Sequence, residues 1–335
     1  TRLTGGKGQR WRVSEGSPLG PAPLGFEYAG WLENKHPGAY EEMYRQRREQ
    51  ESYARLGVMD INLSAEEYIE YWIGEEAVGF INHQAEKKRP FFLWCGFCGP
   101  HGPFDPPEPY RSIYAIEEVP LPIELEGWPS WRDKIDASES LMRRCIAYYW
   151  AMVTCIDNHI GRIVATLKQH NIFNNTLIVF VSDHGEMLGE RGCMGKCLFY
   201  ESVLRVPMFI KPPQDVKYKA RVFDGITEVF NIAPTVLDYA RVPIPDKMRA
   251  HSLRPVIEGG TDNTEMIFSE FASNDKKRRG RCVRTATYKY IQWMPDGAEE
   301  LYDLENDPRE CYNLIKSKSR EEIKVKLKKM LKGIK

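Results

Sequence analysis

The chain has 335 residues, 42% of them hydrophobic and 28% charged, with 47 basic side chains against 47 acidic ones. This is ordinary globular composition, long enough for one large domain and a small one, and its balanced charge points neither to nucleic acid nor to a membrane surface. No apolar run approaches the ~20 residues of a membrane span, and eight cysteines in a chain this long do not read as a disulfide framework.

The start, "TRLTGGKGQRWRV", has no initiator Met and no apolar signal-peptide core, as expected of a processed, cut or incompletely represented chain. Residues 14–30, "SEGSPLGPAPLGFEYAG", are rich in Gly and Pro and predict a loop. "SAEE" at 64–67 has the capping-box pattern, with Ser64 as cap and Glu67 reaching back. The helix that follows carries Ile69, Trp72, Ile73 and Phe80 on one stripe. After Pro90, "FFLWCGF" reads as a strand buried on both faces. The prolines of "GPHGPFDPPEPY" then forbid regular structure.

A long helix is expected from about Ser138 to His170, with Ile156, Ile160, Ile163, Val164 and Leu167 at helical spacing. "TLIVFVSD" and "RVPMFIKPP" read as strands, and a helix is expected around Thr227–Tyr239. Alternating helices and strands predict an α/β fold: a mainly parallel sheet wrapped by helices. After about residue 260, "EMIFSEF", "CVRTATYKYIQWM" and "EELYDL" are short β-like segments, so the domains divide as 1–258 and 259–335, the second a small antiparallel α+β subdomain. The basic terminal helix puts Ile323, Leu327, Met330, Leu331 and Ile334 on one face. Docking of that face on the body is preferred over contact with a membrane.

In an open parallel sheet, ligands bind beyond the carboxyl ends of the strands. Two of the expected strands end in polar groups, Ser182-Asp183-His184 and Gly99-Pro100-His101. Asp183 offers a hard oxygen and His184 a nitrogen, so the pair can ligate a divalent cation. Gly185 and Gly189 would let the backbone turn tightly beside the ion. Lys196, after Gly195, is a solvated charge or a point charge for a tetrahedral anion. His101 sits between two Gly-Pro pairs, a held geometry suited to an acid or an anion donor. Cys95, Cys145 and Cys155 fall in apolar runs and read as small buried hydrophobes, which argues against a four-sulfur zinc site from Cys95, Cys98, Cys193 and Cys197. Free cysteines lean towards a reducing compartment without deciding against the periplasm or secretion.

Together these stretches resemble the sulfatase family of the alkaline-phosphatase-like superfamily. "RPFFLWCGFCGPHGPFDPPEPY" resembles its strand and His-Pro-rich loop, and "NNTLIVFVSDHGEMLGERGCMGKCLFYESVLRVPMFIKPP" its metal loop, sulfate-binding lysine and following strand. "FNIAPTVLDYARVPIP", "RTATYKYI" and "ELYDLENDPRECYNL" resemble later family segments, in order along the chain. The resemblance implies Asp183 and His184 as ligands of a divalent cation, with Ca2+ the family's usual ion and Mn2+ or Mg2+ the alternatives. It implies Lys196 and His101 at the sulfate and ester oxygens, able to protonate the leaving group. Lys7 of "TGGKGQ" is similar to the lysine of a Gly-Lys-x-His stretch, although Gln9 stands where that pattern has His.

The family's nucleophile is a formylglycine made from Cys or Ser in Cys/Ser-x-Pro-x-Arg, and no such pentapeptide occurs here. The expectation is that this N-terminal region is missing or is carried on another chain, as a partner of the present one. The 335 residues by themselves are then expected to bind metal poorly and to be inactive. Three readings stand: hydrolysis of a small-molecule or glycan sulfate ester, hydrolysis of a phosphonate monoester or phosphodiester, or sulfate or glycan binding without catalysis. The basic run Lys276–Arg281 reads as a solvated face.

Overall fold

The structure, a computed structural model, describes residues 27–50, 56–122, 135–214, 216, 218–273 and 277–333. Two compact units divide the chain, Thr1–Pro122 with Asp136–Asn174 and Ile123–Ile135 with Asn175–Lys335.

The first unit is helical. Helices α1 (Glu27–Lys35), α2 (Ala39–Glu49), α3 (Ile69–Glu86) and α4 (Glu139–Gln169) carry its core. Tyr28 and Leu32 of α1, Tyr40, Met43 and Tyr44 of α2, Trp72 and Ile73 of α3, and Ala151 and Cys155 of α4 form one buried cluster. Residues 27–30 therefore belong to a helix and not to the expected loop, because Tyr28 and Ala29 have core partners that a Gly/Pro count does not register. Half of the Ser64–Glu67 box is present, Ser64 N donating to Glu67 Oε2 at 2.7 Å, but the Glu67 amide donates to the Ser64 carbonyl at 3.1 Å, closing a turn ahead of α3. The cap residue of α3 is Tyr68, which provides no side-chain cap. The bounds of α4 follow the expectation, with Ser138 Oγ accepting from Leu141 N at 3.2 Å. That cap satisfies one of the orphan donors of the first turn.

The expected strand "FFLWCGF", residues 91–97, is a correction. These residues belong to no strand among the described residues, and Phe92 is 55% and Trp94 60% exposed. An apolar run becomes a strand only where neighbours supply its ladder and cover its faces. The parallel pairing that the described residues do contain is two isolated bridges, Val58 to Phe104 and Ser64 to Glu108.

In the second unit, β1 (Ile178–Val181) pairs antiparallel with β2 (Met208–Lys211). Between them lie the Asp183 loop and the short helix α5 (Glu201–Leu204). Helices α6 (Ile232–Tyr239) and α7 (Arg254–Ile257) follow. Strands β3 (Met266–Ala272), β4 (Arg279–Thr285), β5 (Tyr288–Met294) and β6 (Glu299–Asp303) form an antiparallel meander. "CVRTATYKYIQWM" is thus a hairpin and not one segment, turned at residues 286–287, where Thr285 Oγ1 accepts from Tyr288 N at 3.0 Å. Helix α8 (Glu321–Gly333) packs Leu327 and Leu331 against Val283, Tyr290 and Leu301, so its apolar face docks on the sheet. The chain is thus α/β, with a four-stranded antiparallel C-terminal sheet. No helix among the described residues is long and apolar enough to cross a membrane.

Candidate active site

The chain leaves β1 at Val181 and turns at once. Ser182 Oγ donates to His184 O at 2.8 Å, and His184 N donates to Asp183 Oδ1 at 2.8 Å. These two local bonds fix the dipeptide. The His184 ring places Nδ1 2.9 Å from Gly185 O. A carbonyl only accepts, so Nδ1 carries the proton and the lone pair of the neutral ring sits on Nε2. That Nε2 lies 3.5 Å from Asp183 Oδ2, and the Asp183 side chain is 84% exposed.

Two donors ~2.4 Å from one ion and at right angles across it lie about 3.4 Å apart. The Asp183 carboxylate and His184 Nε2 therefore fit as two ligands of one cation, with the second ring nitrogen already oriented by a carbonyl. Among the described residues no group of three His, Cys, Asp or Glu side chains is arranged to hold a metal. The pair alone would supply only part of a coordination shell, since a Ca2+ ion takes six to eight oxygen-type ligands.

Gly185 is required for a reason other than the expected turn. A Cβ there would lie 1.9 Å from Ser202 O, and Gly185 N donates to Val203 O at 2.8 Å. The residue after His184 is pressed onto the backbone of α5. Gly195, by contrast, has φ +79°, a conformation that favours glycine. Its amide donates to the Glu186 carboxylate, and Met187 N donates to Gly195 O at 2.9 Å. Lys196 follows directly, half-buried. Thus Asp183, His184 and Lys196 share one internally bonded loop, and Glu186, which the sequence reading missed, ties its two ends. The signal was present as an acid placed just before glycine-rich backbone whose amides need acceptors.

His101 belongs to the first unit. Its Nδ1 lies 2.8 Å from Gly102 O, so this ring too presents Nε2 outward, and the residue is exposed. The loop is anchored from beneath by Glu70 of α3, whose Oε1 accepts from Gly99 N at 2.8 Å. Lys7 lies outside the described residues. Cys98 has Pro100 two residues on, yet Gly102 occupies the arginine position of the family pentapeptide. Cys95 is part-buried, and burial pushes its thiol up to about 12, which suits an inert thiol.

Glu70 is fully buried, and its Oε2 has no partner among the described residues. Burial pushes its carboxyl up to about 7, helped by the charge of Asp105 and opposed by the Gly99 amide and Arg47. The folded state therefore favours the protonated acid, and stability is lost as pH rises from the ordinary carboxylate range through about 7. Glu70→Gln is expected to be near neutral at pH 5 and to exceed wild type by up to about 3 kcal/mol at pH 8. Urea melts of both proteins at the two pH values check this; a difference independent of pH contradicts it.

The family model described as Sulfatase matches residues 25–242, and the model for the C-terminal part of N-sulphoglucosamine sulphohydrolase matches residues 189–335. An arylsulfatase of Clostridium perfringens is 32% identical over 274 residues, 78% of this chain and 56% of that protein. An N-acetylglucosamine-6-O-sulfatase of Bacteroides thetaiotaomicron is 33% identical over 175 residues, 50% of this chain and 31% of the relative. The phosphonate monoester hydrolase SpPMH from Silicibacter pomeroyi superposes with a TM-score of 0.72 at 23% identity, over 80% of this chain and 60% of that one. The chain spans about half the length of the curated relatives it matches.

Proposed function

The chain belongs to the sulfatase family of the alkaline-phosphatase-like superfamily, and from that premise we propose that it carries the metal and anion half of a sulfuric ester hydrolase site. The observation that carries the reading is the Asp183–His184 pair, with two donor atoms 3.5 Å apart and the imidazole tautomer that leaves Nε2 free to ligate. Bound there, a divalent cation, Ca2+ by family usage, supplies Lewis-acid polarisation of the sulfuryl oxygens. Asp183 contributes negative charge and His184 a neutral nitrogen. Lys196 sets an ammonium against the charge that builds on those oxygens. His101 donates through Nε2 to the departing alcohol oxygen when its ring is protonated. Attack on sulfur belongs in this family to formylglycine, whose precursor pentapeptide these residues do not contain. Beyond residue 258 we assign a C-terminal subdomain that braces the metal loop.

Phosphonate monoester hydrolysis is the second reading, kept because the fold is shared with SpPMH. Tetrahedral sulfate and phosphonate esters present similar oxygens, and the fold does not separate them. The test is kcat/KM of the natural protein on 4-nitrophenyl sulfate and on a 4-nitrophenyl phosphonate monoester. A sulfate preference is expected. A tenfold preference for the phosphonate overturns the first reading in favour of the second, and binding of sulfate without turnover of either ester supports a binding protein.

A further inference from the structure

Lys289 is the second residue of an otherwise uncharged strand, β5, and it is completely buried. A solvated lysine explains nothing there, because burying an ammonium is costly unless it is paired. Its Nζ lies 2.7 Å from Glu201 Oε1 and 2.8 Å from Glu310 Oε1. Glu201 is the first residue of α5, and its other oxygen lies 3.2 Å from an Arg284 nitrogen of β4. Burial alone would push the Glu201 carboxyl up, but Lys289 and Arg284 outweigh it and hold the group below its ordinary range. Glu310 Oε2 also accepts from Glu201 N at 2.7 Å. Lys289 thus lies at ion-pair distance from two carboxylates at the start of a single helical turn, Glu201 being its first residue and Glu310 accepting from the Glu201 amide. At Glu310, however, burial outweighs the lysine and pushes that carboxyl up.

That turn ends on the metal loop. Two residues after Glu201, Val203 O accepts the amide of Gly185, and Ser202 O leaves no room for a Cβ on Gly185. Gly185 O in turn receives His184 Nδ1 and so sets the ring that presents Nε2. A second connection reaches the same loop from Glu310. Its carbonyl oxygen accepts from the Arg191 guanidinium, which also stacks over the Tyr200 ring at 4.2 Å.

Resting on the reading of Asp183 and His184 as cation ligands, we propose that Lys289, through Glu201 and Glu310, is a positioning residue that sets the His184 ring by fixing α5 against Gly185. The C-terminal sheet then sets affinity for the ion without touching it. Partners that orient ligands typically govern metal affinity by 10–100-fold when lost, and the lower end applies here because the link passes through backbone.

The test is calorimetric titration with Ca2+ alone on the natural protein and on Lys289→Met, Lys289→Met/Glu310→Gln and Asp183→Ala, with near-ultraviolet circular dichroism as the measure of fold. The double variant removes one buried charge of each sign and leaves Glu201 with Arg284, so it guards against unfolding of the single one. About tenfold weaker Ca2+ binding by a folded variant is expected, with turnover restored at saturating Ca2+. Binding within twofold of wild type in a folded variant overturns the proposal while Asp183→Ala still loses the ion. If neither Lys289 variant folds, the cluster is a stabilising element and the positioning role is withdrawn. If Asp183→Ala binds Ca2+ like wild type, the metal reading itself fails and the positioning role falls with it.

Discussion

Asp183→Ala is expected to abolish divalent-cation binding in the natural protein and to lower kcat/KM on a sulfate ester on the order of a thousandfold, while leaving the fold unchanged. The fold is spared because the Asp183 side chain is 84% exposed and its bonds are local, to the His184 amide and ring. The cation is lost because Asp183 supplies the only anionic charge of the pair. His184 Nε2 alone is a single neutral donor, and hard divalent ions are held chiefly by carboxylate oxygens. Without the ion, its share of the charge on the sulfuryl oxygens in the transition state goes unmet, and water cannot substitute without reorganising. Elemental analysis after dialysis, a thermal melt with and without Ca2+, and turnover together check the prediction. Metal content equal to wild type in the variant removes Asp183 from the site.

The turn that presents Asp183 and His184 was legible in the sequence because it rests on turn-forming residues directly after a strand-like run. Helix α4 was legible for a similar reason, since Ser138 caps it and its periodicity is local. The brace behind the pair was not. Glu201 and Glu310 lie 109 residues apart and meet only through the fold. Strand β5 did carry a hint, because alternation places Lys289 on the face of Ile291 and Trp293, both buried; a charge on a buried face implies a counter-charge. The run "FFLWCGF" failed in the other direction. Its composition reports how apolar it is, but coverage of Phe92 and Trp94 depends on neighbours that no local pattern encodes. Gly185 was read only as a glycine that eases a turn; the close approach of Ser202 O that excludes a Cβ there is a tertiary fact.

Lys196→Ala and His101→Ala are expected to lower turnover by different routes, and the leaving group separates them. Lys196 follows a Gly195 held by Glu186 and Met187, so its ammonium starts from a fixed backbone position. In the proposed site its charge faces the sulfuryl oxygens, which every sulfate ester shares. Lys196→Ala should therefore cost about a hundredfold or more in kcat/KM on aryl and alkyl sulfates alike. The role proposed for His101 is at the departing oxygen. Nδ1 is committed to Gly102 O, so proton donation must pass through Nε2. A nitrophenolate is stable enough to leave with little help, whereas an alkoxide needs the proton as the bond to sulfur breaks. His101→Ala should cost little more than tenfold on 4-nitrophenyl sulfate and on the order of a thousandfold on an alkyl sulfate. Neither change should unfold the protein, since His101 is exposed and Lys196 is half-buried. Rates of both variants on a series of esters of rising leaving-group basicity give the check. Parallel losses across the series for His101→Ala would remove it as the proton donor.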